Sequence, residues 1–231
     1  MHVPPMCVCG NIFRGKTLAS VSRNLFSVAG KTALITGGGS GIGGFMAQSL
    51  ADEGATILLV GRREDKLKEV LGGRDGSIFV IDLSEAGASQ RLFKMVTDRG
   101  YQPDIIVNAA GINPRLHADE IDEDMWNYTV HLNLNVPFLV AQKFVPAMQA
   151  IRWGRIINIA SMQSSRAFPN GISYGAAKGG VTQLTRAMAE AWSALGVTAN
   201  ALAPGFFPTD LTSALFADPK TAADLASRTA M

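Results

Sequence analysis

The feature of this sequence that most constrains its fold is a glycine-rich turn between a short apolar run and a segment with helical spacing. The turn reads Thr36-Gly37-Gly38-Gly39-Ser40-Gly41-Ile42-Gly43. Glycines at such positions permit a tight turn and let two stretches of backbone approach each other closely. A strand, a turn of this composition and a helix in succession predict the first unit of a βαβ fold.

The rest of the chain repeats this alternation of short apolar runs and longer helical patterns. The predicted strands are nearly continuous in apolar character, as expected where helices cover both faces. They are Thr32–Thr36, Thr56–Val60, Ser77–Ile81, Asp104–Asn108, Arg155–Ala160 and Val197–Leu202. The predicted helices are Ile42–Glu53, Glu64–Leu71, Glu85–Asp98, Asp122–Gln149 and Ser173–Leu195. This alternation predicts an α/β fold: one Rossmann-type, doubly wound parallel sheet with right-handed crossovers and helices on both faces.

Length and composition fit one domain of this type. The sequence has 231 residues, of which 47% are hydrophobic and 17% charged, so the chain can bury one large core. We assign residues 24–231 to this domain and residues 1–23 to an N-terminal extension. The net charge of +2 and the lack of a basic, aromatic-rich stripe exclude a nucleic-acid partner. No apolar run is long enough to span a bilayer, so we expect no membrane association.

The N-terminal extension has two interpretations. It lacks acidic side chains and carries Arg14, Lys16 and Arg23, with apolar residues at helical spacing up to Val28. This pattern is typical of an amphipathic mitochondrial transit peptide, and equally of a disordered tail. Its two cysteines match neither a disulfide framework nor a zinc spacing, so we predict no metal site and a reducing compartment. We expect a cytoplasmic protein, with the mitochondrial matrix as the alternative.

The glycine-rich turn also predicts dinucleotide binding. The N-terminus of the helix that follows it offers unpaired N–H groups and a positive dipole end to a pyrophosphate. Glycine-rich segments are often plain loops, and it is the position between a strand and a helix that favours a cofactor site here. The predicted contacts in this segment are Gly37, Gly39, Ser40, Gly41, Ile42 and Gly43.

The end of the second predicted strand favours NADP(H) over NAD(H). An acidic residue there would bond the ribose 2′-hydroxyl and repel a 2′-phosphate, but Gly61 occupies this position. Arg62 and Arg63 follow, and a guanidinium group pairs with phosphate through charge-assisted bonds. Alternatively, both arginines only belong to the solvated start of the next helix, together with Glu64 and Asp65.

Three residues indicate a proton-transfer site. Tyr174 and Lys178 are four residues apart on one predicted helix and so lie on one face. An ammonium group near a phenol stabilises the phenolate, which predicts a pKa for Tyr174 below the ordinary value of about 10. Ser161 follows a predicted strand, at the edge where open sheets bind ligands, and its hydroxyl can bond a substrate oxygen. A Tyr-x-x-x-Lys pair alone often only packs, but Ser161 thirteen residues upstream makes this interpretation weaker.

Together these elements resemble the classical short-chain dehydrogenase/reductase family, from about residue 25 to the end. The family's marks are a Thr-Gly-x-x-x-Gly-x-Gly turn, an Asn-Asn-Ala-Gly segment, the Ser and Tyr-x-x-x-Lys elements and a Pro-Gly turn. The resemblance implies an NAD(P)-dependent enzyme that interconverts a secondary alcohol and a ketone. In that reaction Tyr174 transfers the proton, Ser161 holds the carbonyl oxygen, and Lys178 also bonds the cofactor ribose. The resemblance further implies a homodimer or homotetramer.

The resemblance extends to further positions. It implies that Asp82 bonds the adenine, and that Asn133, within residues 131–135, is the fourth catalytic residue and holds a water molecule in the proton relay. The segment at residues 108–111 would lie against the cofactor, and the turn at residues 204–209 would grip the nicotinamide carboxamide. The cofactor contacts so implied are Asp82, Leu83, Asn108, Ala109, Gly111, Tyr174, Lys178, Pro204, Gly205, Phe207 and Thr209.

The sequence departs from the family pattern at two places. Ala109 replaces the second Asn of the Asn-Asn-Ala-Gly segment, a mild change because the backbone makes much of the contact. Family members also continue through another helix and a last strand that carries Asp-Gly-Gly, whereas this sequence ends at Met231. We therefore expect a C-terminally short domain in which the last family strand is missing.

Three functions agree with these features. The segments at residues 168–174 and 205–209 resemble sugar-acid and polyol members of the family such as gluconate 5-dehydrogenase, so we expect a small carbonyl or alcohol substrate of that class. The second is a 3-oxoacyl-[acyl-carrier-protein] reductase, for which Arg115, Arg152 and Arg166 would supply only a thin basic docking patch. The third is a catalytically silent protein that binds dinucleotide.

Overall fold

Six parallel strands form the sheet in the part of the chain that the computed structural model describes, residues 27–209 and 212–227. They are β1 (Thr32–Thr36), β2 (Thr56–Gly61), β3 (Gly76–Val80), β4 (Ile105–Asn108), β5 (Gly154–Ile159) and β6 (Val197–Leu202). Their order is β3-β2-β1-β4-β5-β6, so the direction of winding reverses between β1 and β4. Ligands of open α/β sheets bind outside the carboxyl ends of the strands at such a point.

Helices cover both faces of this sheet. They are α1 (Gly41–Asp52), α2 (Glu64–Leu71), α3 (Ala88–Asp98), α4 (Glu123–Val130), α5 (Val136–Ala150), α6 (Ile172–Trp192), α7 (Ser213–Ala217) and α8 (Pro219–Ser227). One core cluster joins Leu34 and Ile106 to α3, α5 and α6, and another joins their neighbours Ile35 and Val107 to α1 and α2. Because successive strand residues point to opposite faces, the two clusters are the two sides of the sheet. The predicted doubly wound α/β fold is confirmed.

The single helix predicted at Asp122–Gln149 is wrong in one respect. Its start is as predicted, because the Asp122 carboxylate accepts a hydrogen bond from the Met125 N–H at 2.7 Å. A π-helical turn at His131–Asn135, however, separates α4 from α5. Such a turn widens the helix by one residue over a short stretch, so the apolar spacing on either side does not reveal it.

The other predicted boundaries lie close to those in the structure. Every strand begins and ends within one residue of its prediction. The helix predicted to begin at Glu85 begins at Ala88, because Gly87 has a left-handed backbone with φ of 72° that a helix cannot include. α8 begins at Pro219, and the carboxylate of Asp218 accepts a hydrogen bond from the Lys220 N–H at 3.3 Å.

Residues 1–26, 210–211 and 228–231 lie outside the described part of the chain, and with them the N-terminal extension. The expected transit peptide and C-terminal truncation therefore stay predictions. None of the helices described is long and apolar enough to cross a membrane. Within the same residues, no group of three or more His, Cys, Asp or Glu side chains is arranged to hold a metal ion.

The end of β1 is held closely against the end of β4. The Thr36 hydroxyl accepts hydrogen bonds from the N–H groups of Ala109 and Ala110, both at 3.2 Å. A β-carbon on Gly37, whose φ is 67°, would lie 2.8 Å from the Ala110 nitrogen. A β-carbon on Gly43 would overlap the Gly37 carbonyl oxygen. The turn and the first turn of α1 therefore fit together only with glycine at both positions.

We expect Gly43→Ala to lower the free energy of unfolding by about 1–3 kcal/mol, because the backbone it would strike cannot move aside. Gly44→Ala is the matched control, since a β-carbon there would come nearest to the Val70 side chain, at 3.3 Å, and no closer than 3.6 Å to the backbone. The better helix propensity of alanine offsets that contact, so this variant should stay within about 1 kcal/mol of the parent. Urea unfolding measures both, and equal stabilities of the two variants would contradict this packing.

Candidate active site

The carboxyl ends of the strands border a cleft of about 550 Å³. It runs from the glycine-rich turn, past the ends of β2 and β4, to the loop after β5 and the start of α6. All predicted cofactor and catalytic residues but one line it. They are Gly37, Gly39, Ser40, Gly41, Ile42, Gly43, Arg62, Asp82, Leu83, Ala109, Gly111, Asn133, Ser161, Tyr174, Lys178, Pro204, Gly205, Phe207 and Thr209.

Asn108 is the exception. Its side chain is buried and donates hydrogen bonds to Asn158 Oδ1 at 2.8 Å and to the Pro137 carbonyl oxygen at 3.2 Å. Asn158 in turn donates to Thr185 Oγ1 at 2.9 Å. Asn108 therefore ties β4 to β5 and α5. Its side chain faces the helices rather than the cleft, so the predicted cofactor contact of Asn108 stays a prediction that rests on its backbone.

The glycine-rich turn fits a dinucleotide pyrophosphate. α1 begins at Gly41, and the extended residue before it, Ser40, makes no side-chain capping bond to the helix. The first N–H groups of α1 therefore have no side-chain cap at Ser40 and suit an anionic ligand. A β-carbon on Gly41 would lie 3.3 Å from Thr209, so the turn at residues 204–209 approaches the same backbone closely. This cradle without β-carbons suits a cofactor phosphate.

Cationic side chains gather at the outer end of the cleft, beyond β2. Arg62 Nη1 lies 3.4 Å from Asp82 Oδ2 and 3.5 Å from the Tyr128 hydroxyl. Arg63 donates to Ser40 Oγ at 3.1 Å, and Lys66 lines the same end. Arg62 thus turns across the cleft rather than along the start of α2. The sequence already offered Arg63 beside Arg62 as a phosphate partner, whereas Lys66 was not predicted as a site residue, although it lies three residues after Arg63.

Asp82 is held as an anion beside this cluster. Burial alone would raise the pKa of its carboxyl group, but hydrogen bonds from Ser84 and the nearby charge of Arg62 outweigh burial and hold the pKa below its ordinary value. The Ser84 N–H and hydroxyl both donate to Asp82 Oδ1, at 2.9 and 2.7 Å. The second carboxylate oxygen therefore remains for Arg62 or for a ligand.

Ser161 and Tyr174 meet at the inner end of the cleft. Ser161 follows β5 and its hydroxyl accepts the Gln163 N–H at 3.1 Å. Burial raises the pKa of the Tyr174 phenol above its ordinary value of 10.0, while a hydrogen bond from Ser161 and the charge of Arg115 lower it by less. The predicted low pKa of Tyr174 is therefore wrong for the protein without ligands. Desolvation of the phenolate raises the pKa by more than Ser161 and Arg115 lower it.

Lys178 is buried directly behind Tyr174. Its ammonium donates to the Ile159 carbonyl oxygen at 2.6 Å and lies 5.5 Å from the centre of the Tyr174 ring. Burial lowers the pKa of Lys178 to about 8, so the group is mainly protonated at neutral pH. The predicted one-face arrangement of the pair on α6 is present, but the main partner of the ammonium is the end of β5.

Asn133 reaches the cleft from the π-helical turn. Its amide nitrogen donates to the carbonyl oxygens of Thr129 and Ile112, both at 2.9 Å, and its buried amide oxygen has no partner. A β-carbon on Gly111 would overlap this oxygen and would lie 3.8 Å from the Lys178 ammonium. A buried acceptor without a partner and a buried donor thus lie beside the same residue, Gly111.

Two polar residues of the inner cleft were not predicted as site residues. Arg115 lines the cleft with a left-handed backbone, φ 55°, and its N–H bonds the Asn113 side chain at 3.3 Å. The Asn-Pro pair before it is a turn signal that pointed to such a loop. Gln163 lines the cleft two residues after Ser161, and no sequence pattern distinguished it.

The family model for short chain dehydrogenases matches residues 31–220. The chain belongs to the short-chain dehydrogenase family. It is therefore an oxidoreductase that uses a nicotinamide dinucleotide and acts on CH–OH groups. The glycine cradle and the residues around Tyr174 lie within the matched range.

Individual members of the short-chain dehydrogenase family are similar over most of the chain. The gluconate 5-dehydrogenase of Gluconobacter oxydans is 36% identical over 212 residues, which cover 89% of this chain and 82% of the relative. A 3-oxoacyl-[acyl-carrier-protein] reductase of Vibrio harveyi is 33% identical and covers 85% and 81%. The crystal structure of a gluconate 5-dehydrogenase from Burkholderia cenocepacia, in complex with NADP and tartrate, has a TM-score of 0.81 at 38% identity, with coverages of 87% and 81%.

The buried ammonium of this short-chain dehydrogenase should make its stability depend on pH. The folded pKa of Lys178, about 8, lies below the ordinary lysine value of 10.5. Between these pH values the unfolded chain therefore binds more protons, and stability rises with pH. Lys178→Met lacks this contribution. We expect the unfolding free energy of the parent, relative to Lys178→Met, to increase by about 2 kcal/mol between pH 7.5 and 9.5. Urea unfolding at both pH values tests this, and a constant or falling difference would contradict it.

Proposed function

We propose that this short-chain dehydrogenase is an NADP(H)-dependent enzyme that interconverts a secondary alcohol and a ketone of a sugar acid or polyol. The observation that carries the proposal is the group of Ser161, Tyr174, Lys178 and Asn133 on one cleft with the glycine cradle. A silent binding protein needs the glycine cradle but has no need of Ser161 and Asn133 in the same cleft as Tyr174. We therefore favour the enzyme over the silent dinucleotide-binding protein.

The residues divide the chemistry among them. A bound nicotinamide dinucleotide supplies or accepts the hydride at the carbinol carbon. Ser161 holds the substrate oxygen, and the Tyr174 hydroxyl gives it a proton or takes one from it. The Lys178 ammonium stabilises the phenolate left behind. Asn133 holds the water molecule through which Tyr174 recovers its proton, since its amide oxygen is buried and has no partner.

The outer end of the cleft supports a preference for NADP(H). Gly61 brings no carboxylate to the end of β2, and Arg62, Arg63 and Lys66 line that end with positive charge. Asp82 lies 3.4 Å from Arg62 and competes with a 2′-phosphate for it. Lys66 is paired with Glu69 at 2.7 Å. Two arginines beside the single carboxylate of Asp82 still leave the region favourable to the phosphate. Solved relatives that contain NADP agree with this choice.

The inner end of the cleft supports a polar, anionic substrate. The positive charge of Arg115 is near enough to lower the pKa of Tyr174, and so near enough to attract a carboxylate. Phe168 and Phe206 also line the cleft, as an edge-to-face pair with ring centres 6.4 Å apart. The names of the similar gluconate 5-dehydrogenases agree with a sugar acid.

The carrier-protein reductase is the second candidate, and the positions of its expected docking residues disfavour it. Arg152 precedes β5 and so lies at the amino edge of the sheet, opposite the cleft. Arg115 lies within the cleft, which leaves Arg166 as the exposed member of the expected patch at the cleft edge. One arginine does not form a surface that attracts an acidic protein.

Turnover of a substrate pair tests the proposed function. We expect NADPH oxidation with 5-ketogluconate to exceed that with a β-ketoacyl thioester in kcat/KM. The reverse order would favour the carrier-protein reductase, and oxidation of NADPH by neither compound would favour the silent protein. The loss of NADPH absorbance in the presence of the purified protein measures both rates.

We expect NADPH to bind more tightly than NADH and Arg62→Ala to narrow the difference by about tenfold to a hundredfold, the effect of one charge-assisted bond. Arg186→Ala is the control, because Arg186 lies exposed on α6 and bonds Gln183 at 3.3 Å. Fluorescence titration with both cofactors gives the ratio. Equal or better binding of NADH by the parent would contradict the assignment.

We expect Tyr174→Phe to lower turnover by about a hundredfold to ten-thousandfold while NADPH affinity survives, because the ring still packs but the transferable proton is gone. Tyr101→Phe is a matched control. The Tyr101 hydroxyl bonds Ser77 at 2.9 Å beside β3, away from the cleft. Turnover by Tyr174→Phe within a few-fold of the parent would show that another group transfers the proton.

A further inference from the structure

The side chain of Gln163 has a polar atom with no partner at the inner end of the cleft. Gln163 lies in the short 3₁₀ turn at Met162–Ser164, which follows Ser161 directly. Its amide oxygen is buried and accepts no hydrogen bond, although the residue lines the cleft. A buried carbonyl oxygen without a donor is unfavourable, and in native proteins such an atom calls for a water molecule or a ligand.

The amide is held in place from two sides. Its own backbone N–H donates to Ser161 Oγ at 3.1 Å, so the residue is fixed relative to the hydroxyl that bonds the substrate oxygen. The amide oxygen rests against the start of α6, where a β-carbon on Gly171 would overlap it and one on Gly175 would lie 3.6 Å away. Tyr174 extends from this same turn. Gln163 therefore lies beside both residues that contact the reacting carbonyl.

Asn133 provides an internal comparison. Its amide oxygen is also buried without a partner and also rests where a glycine, Gly111, leaves room for it. The proposed relay gives that oxygen a water molecule. The proposed reaction steps provide no partner for the Gln163 oxygen, although Gln163 lines the same cleft.

We infer that Gln163 determines specificity by binding a hydroxyl group of the substrate on a carbon next to the reacting carbonyl. An amide both accepts and donates hydrogen bonds, and so does a hydroxyl, whereas a carboxylate only accepts. The substrate carboxylate would pair with the cation Arg115, and a substrate hydroxyl group would bind Gln163. This inference rests on the proposed function, because it requires a polyhydroxy substrate.

Two ketone substrates distinguish a specific hydrogen bond to Gln163 from a general loss of activity in the variant. 5-Ketogluconate has hydroxyl groups on both carbons beside its carbonyl, and 5-oxohexanoate keeps the carboxylate and the ketone position but has no hydroxyl. Gln163→Met keeps the length of the side chain and removes the amide. We expect it to lower kcat/KM for 5-ketogluconate about tenfold, the effect of one lost hydrogen bond, and to leave 5-oxohexanoate within about twofold.

The same variant should weaken gluconate binding to the NADP-saturated protein about tenfold, as measured by calorimetry. Gln183→Met is the control, because Gln183 is exposed on α6, and it should change neither measurement. Equal losses for both ketones, or no loss for either, would overturn the inference while the proposed function stands. A parent that reduces neither ketone would overturn the proposed function, and the inference with it.

A second variant tests the position of the amide. Gly171→Ala adds a β-carbon that displaces the Gln163 oxygen, so it should reproduce the selective loss with 5-ketogluconate. In a Gln163→Ala background the space is free, and the same change should have little further effect. A loss of equal size in both backgrounds would show that Gly171 acts through α6 rather than through Gln163.

Discussion

The hydrogen bond from the buried Lys178 ammonium to the Ile159 carbonyl oxygen, at 2.6 Å, fixes α6 on the last residue of β5. Tyr174 lies one turn before Lys178 on this helix, and Ser161 lies two residues after Ile159. The bond therefore sets how the phenol and the hydroxyl face each other. The Ser164 hydroxyl adds a second link, because it donates to the Lys178 carbonyl oxygen at 2.8 Å. The geometry of the proposed catalytic residues thus depends on one helix attached to the carboxyl end of one strand.

The same burial sets the electrostatics of the cleft. Desolvation disfavours the charged form of both groups, so it lowers the pKa of Lys178 to about 8 and raises that of Tyr174. An unliganded cleft therefore holds a neutral phenol and an ammonium close to its titration range. Each charge that enters the cleft acts at low dielectric and changes these equilibria more than it would in water. The phenol thus remains a proton donor until a ligand supplies the charge that stabilises its anion.

The fold could be predicted from the sequence because its signals are local and repeated. The apolar runs predicted every strand. The glycine-rich turn predicted the first βαβ unit, since a β-carbon on Gly37 would strike the Ala110 backbone. The spacing of Ser161, Tyr174 and Lys178 predicted that these side chains lie together, and all three line one cleft. What could not be predicted depends on contacts between distant segments. Asn108 turns to Asn158 on a neighbouring strand, and the amide of Gln163 lies near the cleft only because Gly171 leaves it room. Neither pairing has a pattern along the chain.

In the proposed reaction, hydride passes at this cleft between a nicotinamide carbon and a carbonyl carbon of the substrate. The direct test is the reduction of 5-ketogluconate with NADPH that carries deuterium at C4 of the nicotinamide, in each of its two stereochemical forms. We expect one form alone to transfer deuterium to C5 of the product, with a slower turnover than unlabelled NADPH where this step limits the rate. A product without deuterium from either form would contradict direct hydride transfer and, with it, the proposed function.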